Sequence, residues 1–180
     1  MTSCPYCDLI QNEQFPLLYE DEIAVAFLTP TPHVAGHTIV CTKKHISILE
    51  QLPDDIAGHL FDLANRLSSI IHTALNTDGT NILVNNGPTA NQDVPHFSIN
   101  ILPRRKNDGY KFDWNKRELN NELMLEIHNR IKTQLDKNIK NRKEEKEENI
   151  IIANQNKDQD KKQNKDDEEN YLLKQLQRVP

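Results

Sequence analysis

Asn85–Arg104 reads NNGPTANQDVPHFSINILPR. The Asn-Asn-Gly-Pro run predicts a turn, and a polar loop follows as far as Asp93. From Val94 to Leu102 the pattern alternates. Phe97, Ile99 and Ile101 fall on one side, and His96, Ser98, Asn100 and Leu102 on the other. A period of two marks a strand with one apolar face for a core and one mostly polar face. Row upon row of His, Ser and Asn is more than a solvated edge needs, so the polar face is the first place to look for chemistry.

Working outward, the N-terminal half supplies partners for that strand. Phe15–Glu20 and Glu22–Leu28 read as two strands about a turn at Asp21, with Ile23, Val25 and Phe27 on one face. Two prolines in Thr29-Pro30-Thr31-Pro32 make that stretch a loop. Gly36–Cys41 is the next strand, ending at Lys43-Lys44-His45, and Thr80–Asn85 another. Between them, Ile56, Leu60, Leu63, Ala64, Leu67, Ile70, Ile71 and Leu75 recur at helical spacing. That helix is predicted to be capped by Asp54 and closed by Asp78-Gly79. The elements add up to an α+β domain: a five-stranded antiparallel sheet with one long helix over residues 1–110.

The loop and strand, with Gln92, Val94, Pro95, His96 and Pro103-Arg104, resemble the signature of the histidine triad (HIT) family of nucleotide hydrolases and transferases. The likeness covers about residues 4 to 110. The three triad positions fall on His96, Ser98 and Asn100. The resemblance implies a homodimer and a nucleoside monophosphate site. It assigns Asn85, Gln92, Ser98 and Asn100 to nucleotide binding and Ser98 to the nucleophile position. It also implies zinc. Bacterial members carry an N-terminal C-x-x-C, a His after the Lys-Lys strand end and the first triad His, and Cys4, Cys7, His45 and His96 match all four. Two thiolates and two imidazoles make a closed tetrahedral donor set, the arrangement of structural zinc.

The catalytic residues do not match. A nucleophilic imidazole attacks the α-phosphate and later leaves; Ser98 and Asn100 stand where the second and third histidines belong. Asp93 replaces a small hydroxyl residue near the phosphate, and Thr29 an Asp that grips the ribose. These changes predict a catalytically degenerate protein acting by binding, either of a nucleotide or of a protein partner. The alternatives are a working nucleotidyl hydrolase that uses Ser98, and an assembly protein acting through its dimer and tail. Cys4-Pro5-Tyr6-Cys7 is also the dithiol pair of glutaredoxins. That chemistry needs a buried strand before the pair, which three preceding residues cannot supply.

Residues 111–150 change character. Leu119, Leu123, Ile127, Ile131, Leu135 and Ile139 step by four, predicting an amphipathic helix over Asn115–Glu148 that docks on a sheet or a partner helix. Residues 151–180 are low-complexity, and Asn154–Asn170 is predicted to be disordered for want of apolar groups. Asp136–Asn170 holds nine Lys/Arg and eleven Asp/Glu, mixed rather than clustered, and the whole chain carries a net charge of −5. Neither suits nucleic acid. No apolar run approaches a membrane span, and three cysteines argue against a disulfide framework, so a soluble cytoplasmic chain is expected. Of the remaining histidines, His33 and His37 read as packing or hydrogen-bonding residues, and His59, His72 and His128 as members of solvated helix faces.

Overall fold

The computed structural model describes residues 4–12, 16–111 and 114–144. The chain divides between Phe112 and Asp113 into two units.

The first unit holds a short helix α1 (Pro5–Gln11), strands β1 (Leu17–Glu20), β2 (Ala24–Leu28) and β3 (Thr38–Thr42), the long helix α2 (Asp54–Leu75), and strands β4 (Gly79–Leu83) and β5 (Ser98–Arg104). The strands form one sheet in the order β1-β2-β3-β5-β4, and every neighbouring pair is antiparallel. The signature strand β5 is therefore interior, between β3 and β4, with Cys41 opposite Ser98 and Ile39 opposite Asn100 on β3.

The alternation read in β5 sorts the two faces. Phe97, Ile99 and Ile101 join Ala24, Ala26 and Val40 beneath Leu60, Leu63, Ala64, Leu67 and Ile71 of α2. On the opposite face, Val25, Phe27, Ile39 and Cys41 form a smaller cluster covered by Tyr6, Leu9 and Ile10 of α1 and by Leu17. Ser98 and Asn100 lie on this second face, Ser98 against Tyr6 of α1.

Several boundaries differ from expectation. Ile23 lies outside β2 and is 39% exposed, because the turn at Asp21 extends to it. Pro53 takes the N-cap position of α2 with no side-chain cap, which leaves Asp54 in the first turn. The helix ends on Asn76, whose φ of 49° is the left-handed conformation that short polar side chains tolerate. Asp78 instead binds the chain beyond β5, accepting from the Lys106 N–H at 2.7 Å. Gly36 has φ +86°, and a Cβ there would come within 2.4 Å of Leu75 Cδ1, so the loop into β3 crosses the end of α2 where only glycine fits.

In the second unit, residues 121–144 are helical. The start is later than the stripe predicted, since Asn120 caps the first turn, accepting from the Leu123 N–H at 2.8 Å. Leu119, Leu123, Ile127, Ile131, Leu135 and Ile139 are exposed. The expected helix end at Glu148 and the low-complexity tail lie outside the described residues. Among the described residues no helix is long and apolar enough to cross a membrane.

Candidate metal centre and the neighbouring strand face

Cys4, Cys7, His45 and His96 come together, their donor atoms all within 4.8 Å of one another. Three pieces of local structure place them. Cys4 is the N-cap of α1 and Cys7 lies in its first turn, so one helical turn presents both thiols to one side. His96 is buried just before β5, and His45 stands exposed just beyond β3. A backbone hydrogen bond joins their neighbours, the Phe97 N–H donating to the Ile46 carbonyl at 2.6 Å.

The distances fit a metal. Zn–S near 2.3 Å and Zn–N near 2.0–2.1 Å, at tetrahedral angles, put a sulfur and a nitrogen ligand about 3.6 Å apart. Cys4 Sγ lies 3.4 Å from His96 Nδ1, Cys7 Sγ 3.4 Å from His45 Nδ1, and Cys7 Sγ 3.6 Å from His96 Nδ1. The other ring nitrogens are turned away. His96 Nε2 donates to the Thr42 carbonyl at 2.9 Å, and His45 Nε2 lies 3.3 Å from Ser47 Oγ. A proton held on Nε2 leaves the Nδ1 lone pair free towards the thiols, the tautomer a metal ligand needs. Burial lowers the His96 pKa, outweighing the Thr42 hydrogen bond and aided by the neighbouring His45, so the neutral form is favoured. Burial and the adjacent Cys4 push the Cys7 thiol up to about 11. Two thiols this close resist ionising together unless a cation sits between them, which is what a dication supplies.

Beside this cluster, the remaining signature positions are turned to internal bonds. Asn100 Oδ1 lies 2.9 Å from His37 Nε2, while His37 Nδ1 accepts from the His33 N–H at 3.4 Å. The proton of His37 is thereby assigned to Nε2, donated to Asn100, and burial lowers the pKa of the ring. The rings of His33 and His37 stack, with centroids 5.3 Å apart. Ser98 is hydrogen-bonded to the Tyr6 phenol, whose own pKa is raised, first by burial. Tyr6 meets Phe27 edge-on at 5.6 Å and His96 at 5.9 Å. Gln92 accepts from the Gly87 N–H and donates to the Ser47 carbonyl, both at 2.7 Å. Asn85 donates to the Asn91 carbonyl at 2.9 Å, and the Thr29 hydroxyl accepts from the Thr31 N–H at 3.3 Å.

Sequence reasoning assembled the four metal candidates but missed the pairing of His37 with Asn100. The two are 63 residues apart, and only the β3–β5 register brings them together. It also placed His59 on a solvated face, whereas His59 Nε2 lies 2.6 Å from Asp21 Oδ2. Apolar residues spaced about the histidine gave no sign of a carboxylate across from the helix.

Known proteins bear on this arrangement. The model of the HIT domain family matches residues 11–107. An uncharacterized HIT-like protein of Methanocaldococcus jannaschii is 38% identical over 112 residues, covering 59% of this chain and 82% of that protein. The adenosine 5'-monophosphoramidase of Saccharomyces cerevisiae is 28% identical over 137 residues, 74% of this chain and 84% of the enzyme. Among solved structures, a Zn-bound histidine triad family protein from Mycobacterium smegmatis superposes with a TM-score of 0.57 at 29% identity, covering 64% of this chain and 84% of that one.

Proposed function

Because the chain belongs to the histidine triad (HIT) family, we propose that it keeps the nucleotide-binding scaffold of that family, fastened by zinc, and has exchanged nucleotidyl hydrolysis for binding. The ligand is a nucleoside monophosphate or a protein partner, and the working unit is a cytoplasmic homodimer. Residues 1–110 act as the HIT-like domain, and the amphipathic helix, described over residues 121–144, is offered to a protein partner; the low-complexity tail expected over residues 151–180 lies outside the described residues.

The observation that carries the reading is the contrast between the two halves of one strand segment. At His96 the donor set is complete, with both Nδ1 atoms facing the thiols. Two and four residues later the catalytic equipment is missing. The Ser98 hydroxyl needs a base to act as a nucleophile. Its partner is the Tyr6 phenol, which stays protonated. Asn100 has no proton-accepting nitrogen and is joined to His37. His96 is committed to the metal. Bound at Cys4, Cys7, His45 and His96, zinc supplies a structural cross-link between α1 and the sheet, since four protein ligands leave no open position. Asp93, in place of a small hydroxyl residue, sets a carboxylate beside the phosphate position and weakens an anion's hold.

The test is metal analysis of the purified chain, followed by titration with AMP and GMP and a turnover assay with adenosine phosphoramidate. About one zinc per chain, lost in Cys4→Ala, with turnover at background is the expected result. Robust turnover abolished by Ser98→Ala would make Ser98 a true nucleophile and overturn the reading.

A further inference from the structure

The four metal candidates are not held equally. His96 is fully buried and its ring is fixed by the Thr42 carbonyl. Cys4 and Cys7 ride on one helical turn. His45 is exposed, in a stretch of irregular backbone beyond β3, and needs an outside support. That support comes from the loop before β5. Gln92 Nε2 donates to the Ser47 carbonyl at 2.7 Å, and the Ser47 hydroxyl lies 3.3 Å from His45 Nε2. Gln92 Oε1 meanwhile accepts from the Gly87 N–H at 2.7 Å, so one side chain clasps both segments. Asn86 adds a second tie, accepting from the Leu49 N–H at 3.0 Å and donating to Glu50.

We infer that Gln92 is a positioning residue of the metal centre, fixing the His45 ligand through Ser47, and that metal binding and order in the Gly87–Gln92 loop are coupled through it. The inference rests on the reading that Cys4, Cys7, His45 and His96 hold zinc. It gives Gln92 a different task from the nucleotide contact implied by the family likeness. The coupling is reciprocal: whatever the metal gains from an ordered loop, the loop gains from the metal. A ligand resting on that loop would therefore bind the zinc-loaded chain more tightly.

The experiment uses the full chain and measures zinc affinity by competition with a chromophoric chelator, alongside the absorption spectrum of the cobalt(II) form. Outer supports of metal ligands are worth roughly 10- to 100-fold in affinity, and Gln92→Ala is expected to lose that much and to shift the cobalt spectrum. Gln92→Glu keeps an oxygen for the Gly87 N–H but has no proton to give the Ser47 carbonyl at neutral pH, so it should weaken zinc as well. In the wild type, zinc should slow hydrogen exchange in the 86–92 peptide, a readout that needs no variant to fold. Wild-type affinity and an unchanged cobalt spectrum in both variants would overturn the inference while leaving the metal reading intact. So would loop exchange indifferent to zinc. A wild type that takes up no zinc overturns both.

Discussion

Asp21 is the residue whose removal the structure prices most directly. In the turn between β1 and β2 its Oδ1 accepts from the Ile23 N–H at 2.7 Å and the Ala24 N–H at 2.6 Å. Its Oδ2 accepts from the Tyr19 hydroxyl at 2.8 Å and lies 2.6 Å from His59 Nε2 on α2. One carboxylate thus closes the hairpin and ties it to the helix. Asp21→Ala removes all four contacts. Water replaces those on Tyr19 and Ile23, which are exposed, but Ala24 is fully buried. A buried donor deprived of its acceptor costs about 1–3 kcal/mol, and the lost hydrogen bonds to a charged group add to that. The expected destabilisation is about 2–4 kcal/mol, a fall in Tm on the order of 10 °C for a domain of this size. Asp21→Asn keeps an acceptor for the turn and loses the charge, so it should fall between. Urea unfolding of the three proteins measures the order. The pH dependence has a definite sign. Partial desolvation acts to raise the Asp21 pKa, but the bonds from Ala24, Ile23, Tyr19 and His59 outweigh it and hold the carboxyl well below its usual range. A depressed carboxyl contributes fully above its unfolded value of about 3.9 and loses that contribution as the pH falls further. The gap between wild type and Asp21→Ala should therefore narrow below about pH 4. A gap under about 0.5 kcal/mol at neutral pH, the range of ordinary surface substitutions, would refute the argument.

Three further outcomes are expected. Chelation should lower Tm of the wild type and leave Cys4→Ala unmoved, because binding at a cross-linking site is coupled to folding; calorimetry with and without chelator decides. Ile99→Ala, emptying a fully buried position under α2, should cost about 2–5 kcal/mol, seen as a lower urea midpoint with an unchanged slope. Ser98→His with Asn100→His should recover little phosphoramidate turnover until Asp93→Ser and Thr29→Asp are added, since a nucleophile acts only on a positioned substrate; kcat/KM across the series would show full recovery at the first step if the other two positions are immaterial.

What could be read from the chain and what could not divides along sequence distance. The face of β5 was legible because Phe97, Ile99 and Ile101 repeat every second residue, and α2 because its apolar positions repeat every three or four. Helix ends were less so: Asn76 ends α2 through a left-handed backbone and Asn120 caps the next helix through its side-chain oxygen, and nothing in the local pattern distinguishes them from other asparagines of the chain. The metal set was found by family likeness, then supported by distances that composition could not supply. Gln92 and Asn100 show the limit. Both sit at signature positions, yet their partners, Ser47 and His37, are fixed by antiparallel register and loop packing across 45 and 63 residues. Residue type announces that such groups will bond, and only the fold says to what.

The span of the metal cluster bears on how the protein is made. Cys4 and His96 are 92 positions apart, so the first thiols leave the ribosome long before the last imidazole. At about 5–20 residues per second the interval is roughly 5–20 s. Until His45 follows, Cys4 and Cys7 are at most a two-toothed grip, open to oxidants and to any thiophilic ion. Because His96 is fixed only when β5 has joined the sheet, the finished site exists only in chains already folded through their signature strand. Uptake of zinc would then be the last event of maturation, and a chain that fails to close its sheet would be left with a pair of bare thiols for the cell's quality control to find.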